Sequence, residues 1–335
     1  MAHLLDASKA PGGTNWRKSF NTPTQASENV LAVQTVKGGV GKTSLAVGLG
    51  GLLAHSGRQV LIVDFDQQGN CAPSLGVHPD LDDDGEGLLS ALADPDGTAP
   101  NVLSDEALNV TVDEWLFTRP NLHLIPGGQA LAHLGATFVE HAAELDSRGV
   151  PRVTYGPESL LRLRAVLAHL NDQYDLIIID SPPGEAWAQL STLIASRFVL
   201  VPTATDDRSV EAVGSVAQRF SEAHQYNPDL ELLGLCLFGV GRAETAVARS
   251  TREYAKALLG NQVIVFNTFI RDVPAPADKA RTLGLLPHEL AWCHTQRRHS
   301  YPPTAEGLAA DYEALAFEVL NARRMALTRS RTAQI

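Results

Sequence analysis

A short glycine-rich segment with two lysines is the part of the chain best suited to chemistry. It reads Lys37, Gly38, Gly39, Val40, Gly41, Lys42, Thr43 and Ser44. Glycines let successive backbone N–H groups turn towards phosphate oxygens, a lysine gives positive charge to terminal phosphates, and a threonine hydroxyl can bind magnesium. The strict G-x-x-x-x-G-K-[ST] pattern is not met, because Val36 stands at its first position. The segment therefore predicts a phosphate-binding loop with an additional lysine, Lys37.

Three aspartates stand at the ends of apolar segments and could hold a metal ion that accompanies a phosphate chain. Asp64 ends one such segment, Asp66 follows two residues later, and Asp180 ends another. A phosphate-bound magnesium ion prefers hard oxygen ligands, mostly water with one or two carboxylates. We therefore expect Thr43 to be a direct metal ligand and Asp180 to hold the ion through water.

The elements that position these residues are indicated by an alternation of strand-like and helix-like segments. Strands are predicted at 30–36, 59–64, 121–126, 174–180, 197–202, 232–238 and 262–266. Helices are predicted at 45–54, 129–146, 157–171, 206–224, 243–259 and 305–325. The near-continuous apolar strands are typical of a parallel sheet that is covered on both faces. The alternation predicts an α/β fold, a doubly wound and mostly parallel sheet flanked by helices.

The alternation forms one unit, which is preceded by a segment of different composition. Residues 1–28 mix Ser, Thr, Asn, Gly and Pro with few large apolar side chains, so we expect a flexible N-terminal leader. The strand and helix pattern then continues through residues 29–335 without an internal repeat of fixed period. We therefore predict a single domain over 29–335.

The charge of the chain is distributed unevenly. The net charge of −11 argues against a surface that is basic all round. Residues 59–118 contain 13 acidic residues and no Lys or Arg, whereas the rest of the chain has 27 basic and 25 acidic residues. The acidity is therefore local, and a basic face on the C-terminal part of the chain is compatible with the composition.

Composition also narrows the protein class. With 44% hydrophobic and 19% charged residues, the chain is globular rather than wholly disordered. It has no uninterrupted apolar stretch of about 18 residues, and its first residues do not form a secretory signal. The three cysteines are far apart, which is not the spacing of a zinc site or a disulfide framework. We expect a cytoplasmic protein.

The chemical motifs resemble those of the deviant Walker A ATPases, and within them the ParA/MinD family, which has a P-loop NTPase fold. The sequence K-G-G-V-G-K-T at 37–43 matches the family's signature loop. D-F-D-Q-Q-G-N at 64–70 resembles the ParA segment D-x-D-P-Q-G-N, with Gln67 at the usual proline position. Y-D-L-I-I-I-D-S-P-P-G at 174–184 resembles the Walker B strand and its following loop. The segment at 64–70 favours ParA over MinD.

The resemblance implies roles for individual residues in binding and hydrolysing ATP with Mg²⁺. Lys42 would contact the phosphates of its own chain, whereas Lys37 would reach the partner's phosphates across a dimer that sandwiches two nucleotides. Asp66 would orient the attacking water, and Asp64 would lie near the metal. Catalysis is thereby assigned to Lys37, Lys42 and Asp66. The metal site is assigned to Thr43, Asp64 and Asp180.

The resemblance also implies partners and a cycle. ATP would drive homodimer formation, and hydrolysis, stimulated by a ParB-like or other adaptor protein, would separate the subunits. Such an ATPase partitions or positions DNA or another cargo. Family members bind DNA without sequence preference through C-terminal basic residues. Arg249, Arg252 and Lys256 have the i, i+3, i+7 spacing of one helical face and could contact DNA phosphates. A solvated helix face explains them equally well.

Two other functions are compatible with parts of the sequence. The first is a MinD-like ATPase that acts on a membrane surface, but the apolar face of the C-terminal segment is thin, so membrane binding is not expected. The second is a metabolic P-loop enzyme of the dethiobiotin-synthetase type. Lys37 and the segment at 64–70 argue against that enzyme. If DNA binding holds, the cytoplasmic protein would associate with the nucleoid.

Overall fold

The computed structural model describes residues 26–35, 39–132, 134–145, 151–204, 218–241, 253, 264–297 and 300–333. The predicted leader lies almost wholly outside these residues, as do most of the predicted helix 243–259 and the first part of the helix predicted at 206–224. Residues 218–224 are helical.

The described strands and helices alternate along most of the chain. In chain order the strands are β1 Val30–Val33, β2 Val60–Asp64, β3 Val110–Val112, β4 Trp115–Phe117, β5 Leu122–Ile125, β6 Val139–Leu145, β7 Pro151–Tyr155, β8 Leu176–Asp180, β9 Phe198–Thr203, β10 Glu231–Val240 and β11 Val265–Arg271. The α-helices are α1 Lys42–His55, α2 Cys71–Ser74, α3 Glu86–Ala93, α4 Leu134–Thr137, α5 Pro157–Ala168, α6 Ala186–Ala195, α7 Pro274–Leu283, α8 Pro287–Gln296 and α9 Ala305–Ala333. Short 3₁₀ helices occupy Pro79–Leu81, Asp105–Leu108, Gln129–Leu131 and Asn171–Gln173.

Seven of the described strands form one parallel sheet in the order β11-β10-β9-β1-β8-β2-β5. Strand β1 lies between β8 and β9, so the residues that follow β1 and β8 leave the sheet side by side. Because the strands are parallel, their carboxyl ends meet at one edge, where ligands bind in open α/β sheets. The predicted doubly wound parallel sheet is confirmed.

The two faces of the sheet carry separate apolar cores, because successive side chains of a strand point to opposite faces. Val30 and Ala32 of β1 pack with α3, α5 and α6 on one face. Leu31 and Val33 pack with α1 and α9 on the other. This double burial explains why the strands are apolar along their whole length.

The helix predicted over 129–146 is wrong in its second half. After a 3₁₀ turn and the four-residue α4, the chain forms β6, which pairs antiparallel with β7. Helix propensity is a weak prior, and a following segment that can form a backbone ladder outweighs it. The strand predicted at 262–266 also has a wrong end, because pairing with the long β10 extends β11 to Arg271.

Helices α7 and α8 and the β3–β4 hairpin were not predicted from the sequence. Both helices start with proline, a residue that is favoured at the first helical position, and Gly284 ends α7 in the left-handed conformation with φ of 64°. The two prolines and Gly284 could have predicted the bounds of these helices from the sequence. No helix in the described part of the chain is long and apolar enough to cross a membrane.

A buried ion pair joins the segment between β4 and β5 to α8. Arg119 contacts Glu289 of α8 through two hydrogen bonds, of 2.9 Å from Nε and 2.6 Å from a terminal nitrogen. Its guanidinium also donates to the backbone carbonyls of Leu75, Leu108 and Gly284. The side chains of the two charged partners are 3% and 6% exposed, so the pair is desolvated and every guanidinium nitrogen has an acceptor.

We expect Arg119→Met to destabilise the protein by about 3–5 kcal/mol, because it leaves the Glu289 carboxylate buried without its cation. Chemical denaturation would measure the change in the free energy of unfolding. Arg281→Met is the matched control, since its pair with Asp278 has both side chains 71% exposed, and it should change stability by less than about 0.5 kcal/mol. Equal effects of the two variants would contradict the structural role of Arg119.

Candidate nucleotide and metal site

The phosphate-binding loop predicted from the sequence lies between β1 and α1 at the carboxyl edge of the sheet. Gly39 and Gly41 have φ of 78° and 82°, left-handed values that favour glycine. A side chain at Gly41 would lie 2.2 Å from the ring of Phe238, so only glycine fits there. No described side chain caps the start of α1. The first backbone N–H groups of the helix are therefore available to an anion, and the helix dipole favours negative charge at this end.

The side chains of this loop differ in burial. Lys42 is buried, Thr43 is half-buried and Ser44 is exposed, while Val40 is buried against the sheet. Burial lowers the pKa of Lys42, and the nearby carboxylates of Asp180 and Asp66 oppose that shift. The loop therefore holds one desolvated cation beside two carboxylates. Lys37 and Gly38 lie outside the described residues.

A hydrogen bond joins the loop to the strand that the sequence identified as Walker B. The Thr43 hydroxyl donates to Oδ2 of Asp180 over 2.6 Å, across 137 positions of sequence. Asp180 is fully buried, and its other oxygen, Oδ1, has no hydrogen-bond partner in the described structure. Burial raises the pKa of Asp180, opposed by this hydrogen bond and by the charge of Lys42. An unpaired carboxylate oxygen beside a threonine hydroxyl is suited to a hydrated cation.

The other two aspartates lie next to this pair because β2 is the neighbour of β8. Asp64 and Asp180 are direct register partners. The Asp64 carboxylate accepts from the backbone N–H groups of Cys71 at 2.8 Å and Asp66 at 3.1 Å. Asp66 is 7% exposed and accepts from the N–H of Gln68 at 3.0 Å. Burial, then repulsion by Asp180, raises the pKa of Asp64.

The donor set fits the magnesium ion that the sequence predicts. Thr43, Asp64 and Asp180 offer hard oxygen atoms, and the two buried carboxylates have oxygen atoms within 4.8 Å of each other. Like charges at this distance repel strongly in a low-dielectric environment, so a divalent cation would relieve the arrangement. The structure thus brings together five predicted site residues, namely Lys42, Thr43, Asp64, Asp66 and Asp180.

A cavity of about 290 Å³ opens beside the loop and was not located by the sequence analysis. It is lined by Ser44 and Phe238 on one side and by the segment from Arg271 to Val273 on another, with Tyr312 of α9 at its wall. Arg271 is fixed by Asp311 through hydrogen bonds of 2.6 and 2.7 Å. Arg271 is the last residue of β11, and Asp272 and Val273 follow it directly.

Two other predicted features are the loop after Asp180 and the basic residues of the C-terminal part. Gly184, in the loop after Asp180, has φ of 83°, so that loop requires glycine at this position. Arg249, Arg252 and Lys256 lie outside the described residues, and their use in DNA binding stays a prediction.

Comparisons with known proteins agree with the geometry. A family model described as an AAA domain, AAA_31, matches residues 28–232. The sporulation initiation inhibitor protein Soj of Bacillus subtilis is 30% identical over 210 residues, which cover 62% of this chain and 71% of the relative. The chromosome-partitioning ATPase Soj of Treponema pallidum is 31% identical over 237 residues, covering 70% and 79% of the two chains.

A solved structure extends the comparison to a larger part of the chain. Cobyrinic acid a,c-diamide synthase from Mycobacterium smegmatis, with bound ADP and magnesium, superposes with a TM-score of 0.54 and 27% identity. The match covers 82% of this chain and 98% of that one. With a matching family model over most of the chain, two Soj relatives and a P-loop site formed by the predicted residues, the chain belongs to the ParA/MinD family of deviant Walker A ATPases.

Proposed function

We propose that the protein is an ATP-dependent, dimerising ATPase of ParA type that partitions or positions DNA or another cargo. The observation that carries the proposal is the hydrogen bond between Thr43 and Asp180, with Lys42 buried beside it. It brings a loop hydroxyl, a strand-end carboxylate and a lysine to the start of one helix, which is the arrangement needed to bind a phosphate chain with its metal. The Soj relatives, one of which is a chromosome-partitioning ATPase, support DNA as the cargo.

In this proposal the chain holds ATP and magnesium at the carboxyl edge of the sheet. Residues 37–44 surround the phosphates, and Lys42 neutralises charge on the β- and γ-phosphates. Thr43 would be a direct ligand of the magnesium ion, Asp180 would hold it through water, and Asp64 would lie beside it. When bound, magnesium stabilises the charge that develops on the transferred phosphoryl group. The cavity beside Phe238 has the position expected for the nucleotide base.

Asp66 is the proposed positioning group for the attacking water. It is close enough to Lys42 for the two charges to interact, and it is nearly buried, so its carboxylate is held near the phosphate end of the site. A carboxylate at this place can accept a hydrogen bond from water and orient it for in-line attack.

Lys37 supplies the link between hydrolysis and dimer formation. One lysine, Lys42, already serves the phosphates of its own chain, and a second one five residues earlier is redundant unless it acts on the partner's nucleotide. Each subunit would then lack full charge stabilisation until ATP brings two subunits together. ATP therefore joins the subunits and hydrolysis releases them, a switch that an adaptor protein can accelerate.

A metabolic P-loop enzyme is the second candidate, because the M. smegmatis structure carries the name of an amide-forming synthase. Such an enzyme would couple ATP use to a small carboxylic acid rather than to DNA or a protein. ATP turnover that depends on an added small acid, and not on DNA or an adaptor, would favour this candidate.

The water-positioning role is tested by Asp66→Ala. We expect this variant to bind ATP normally, to lower kcat by about 10²–10⁴-fold, and to accumulate as an ATP-bound dimer on size-exclusion chromatography. Asp80→Ala is the control, because the Asp80 side chain is 88% exposed and remote in sequence from the loop. Normal turnover by a monomeric Asp66→Ala protein would rule the role out.

The sandwich mechanism is tested by mixing two inactive variants. Lys37→Ala should still bind ATP as a monomer but lose about 10³–10⁵-fold in hydrolysis, as on removal of an inserted cation in related phosphoryl-transfer enzymes. Lys42→Ala should fail to bind ATP. If Lys37 acts on the partner's nucleotide, mixing the two restores activity, because the pocket of the Lys37→Ala subunit then receives an intact Lys37 from its partner. Full activity of Lys37→Ala alone contradicts the mechanism, as does absence of restoration in a mixture in which cross-linking shows that the mixed dimer has formed.

The DNA surface is tested by reversing three charges together, Arg249→Glu, Arg252→Glu and Lys256→Glu. We expect weaker binding of two unrelated duplexes in the presence of ATP and a smaller dependence of affinity on salt, because fewer counterions are released. Fluorescence anisotropy over a salt series measures both. Arg324→Glu is the control, because Arg324 is an exposed basic residue of α9 that does not line the cavity beside Phe238. Unchanged affinity of the triple variant would remove this surface from the proposal.

A further inference from the structure

A buried cysteine lies between the two facing carboxylates of the metal site. Cys71 is the first residue of α2, and its backbone N–H donates to Asp64. Its Sγ atom lies 3.6 Å from Oδ2 of Asp180. Asp64, Cys71 and Asp180 are each 0% exposed, and each offers one ligand atom within 4.8 Å of the other two. The role proposed above for magnesium does not use the thiol.

The distance between the Cys71 sulfur and the Asp180 carboxylate suits a tetrahedral metal ion with mixed ligands. Zinc bonds of about 2.3 Å to sulfur and about 2.0 Å to oxygen, at the tetrahedral angle, place the two donor atoms about 3.5 Å apart. The observed separation of Sγ and Asp180 Oδ2 is 3.6 Å. Two carboxylates and one thiolate leave a fourth position open, as in zinc sites that bind water or substrate.

The type of donor distinguishes this ion from magnesium. Magnesium takes oxygen ligands and has no preference for sulfur, whereas zinc and cadmium bind thiolate and carboxylate together. A second feature, besides the cluster of donors, points to a cation of either kind here: Asp180 Oδ1 is fully buried and has no hydrogen-bond partner in the described structure.

We propose that Asp64, Cys71 and Asp180 form a binding site for a thiophilic divalent cation, of the zinc class, which competes with magnesium and inhibits the ATPase. The inhibition rests on the function proposed above, but the binding does not. The cation displaces the proton of the Cys71 thiol, which passes to the solvent, and the thiolate and the carboxylates become its ligands.

Competition follows from the shared ligand. Asp180 is the acceptor of the Thr43 hydroxyl and the proposed outer ligand of magnesium. A cation held between Asp180 and Cys71 occupies that carboxylate, so Thr43 and the magnesium ion lose their common partner. Nucleotide should therefore bind more weakly in the presence of zinc, and removal of zinc by a chelator should reverse the effect.

The binding test uses Cd²⁺ with the full-length, nucleotide-free protein under reducing conditions. Cd²⁺ bound to thiolate gives an ultraviolet charge-transfer band, which reports on the sulfur ligand directly. We expect one equivalent of Cd²⁺ to produce the band in the wild type. Cys71→Ser should lose the band and bind Cd²⁺ at least about tenfold more weakly, because an alcohol replaces the soft ligand. Cys236→Ser is the matched control, since Cys236 is equally buried, and it should retain the band.

Three outcomes overturn the proposal: no band in the wild type, a band that persists in Cys71→Ser, or a band that is lost in Cys236→Ser. The first outcome is measured on the wild type alone, so the proposal can be contradicted even if Cys71→Ser does not fold. The test also separates it from the proposed function. Magnesium-dependent ATP turnover without Cd²⁺ binding removes only the thiophilic site. Cd²⁺ binding by a protein that never hydrolyses ATP removes only the ATPase.

Discussion

The structure depends on burying negative charge at the carboxyl edge of the sheet. Asp64 and Asp180 are fully buried, Asp66 is nearly so, and Lys42 is the described cation that faces them. Burial raises the pKa of both strand-end carboxyls, which is the physical sign that ionising them costs free energy. A bound cation would offset that cost. The site is therefore incomplete in charge without a cation, whichever cation it binds.

The order of the strands is what turns separate sequence motifs into one site. Strands β1, β8 and β2 are neighbours, although the segments that follow them are far apart in sequence. Register pairing sets Asp64 directly beside Asp180, and the turn from β1 into α1 brings Thr43 to the same carboxylate. In a parallel sheet the carboxyl ends of the strands lie at the same edge, so the residues at these ends are brought together by the strand order alone.

The sequence predicted those features that local physics determines. Gly41 must be glycine because of its left-handed φ and the ring of Phe238, and the apolar strands must lie inside a covered sheet, so the loop and the fold were predictable. Residues 139–145 could not be assigned correctly, because their strand exists only through pairing with 151–155. The Arg119–Glu289 pair and the contact of Cys71 with Asp180 join segments that are distant in sequence. No residue spacing in the sequence indicates either contact.

The C-terminal helix α9 packs closely against α1, the helix that begins at the phosphate loop. The Tyr312 hydroxyl of α9 donates to the backbone carbonyl of Ser44, in the first turn of α1. A side chain at Gly48 would lie 2.4 Å from the same tyrosine ring, so the two helices pack without room for adjustment. Any ligand that binds the folded loop but not the unfolded chain adds its binding free energy to the stability of α1. Because α9 packs on α1 through these close contacts, we expect the same ligand to stabilise the C-terminal helix as well.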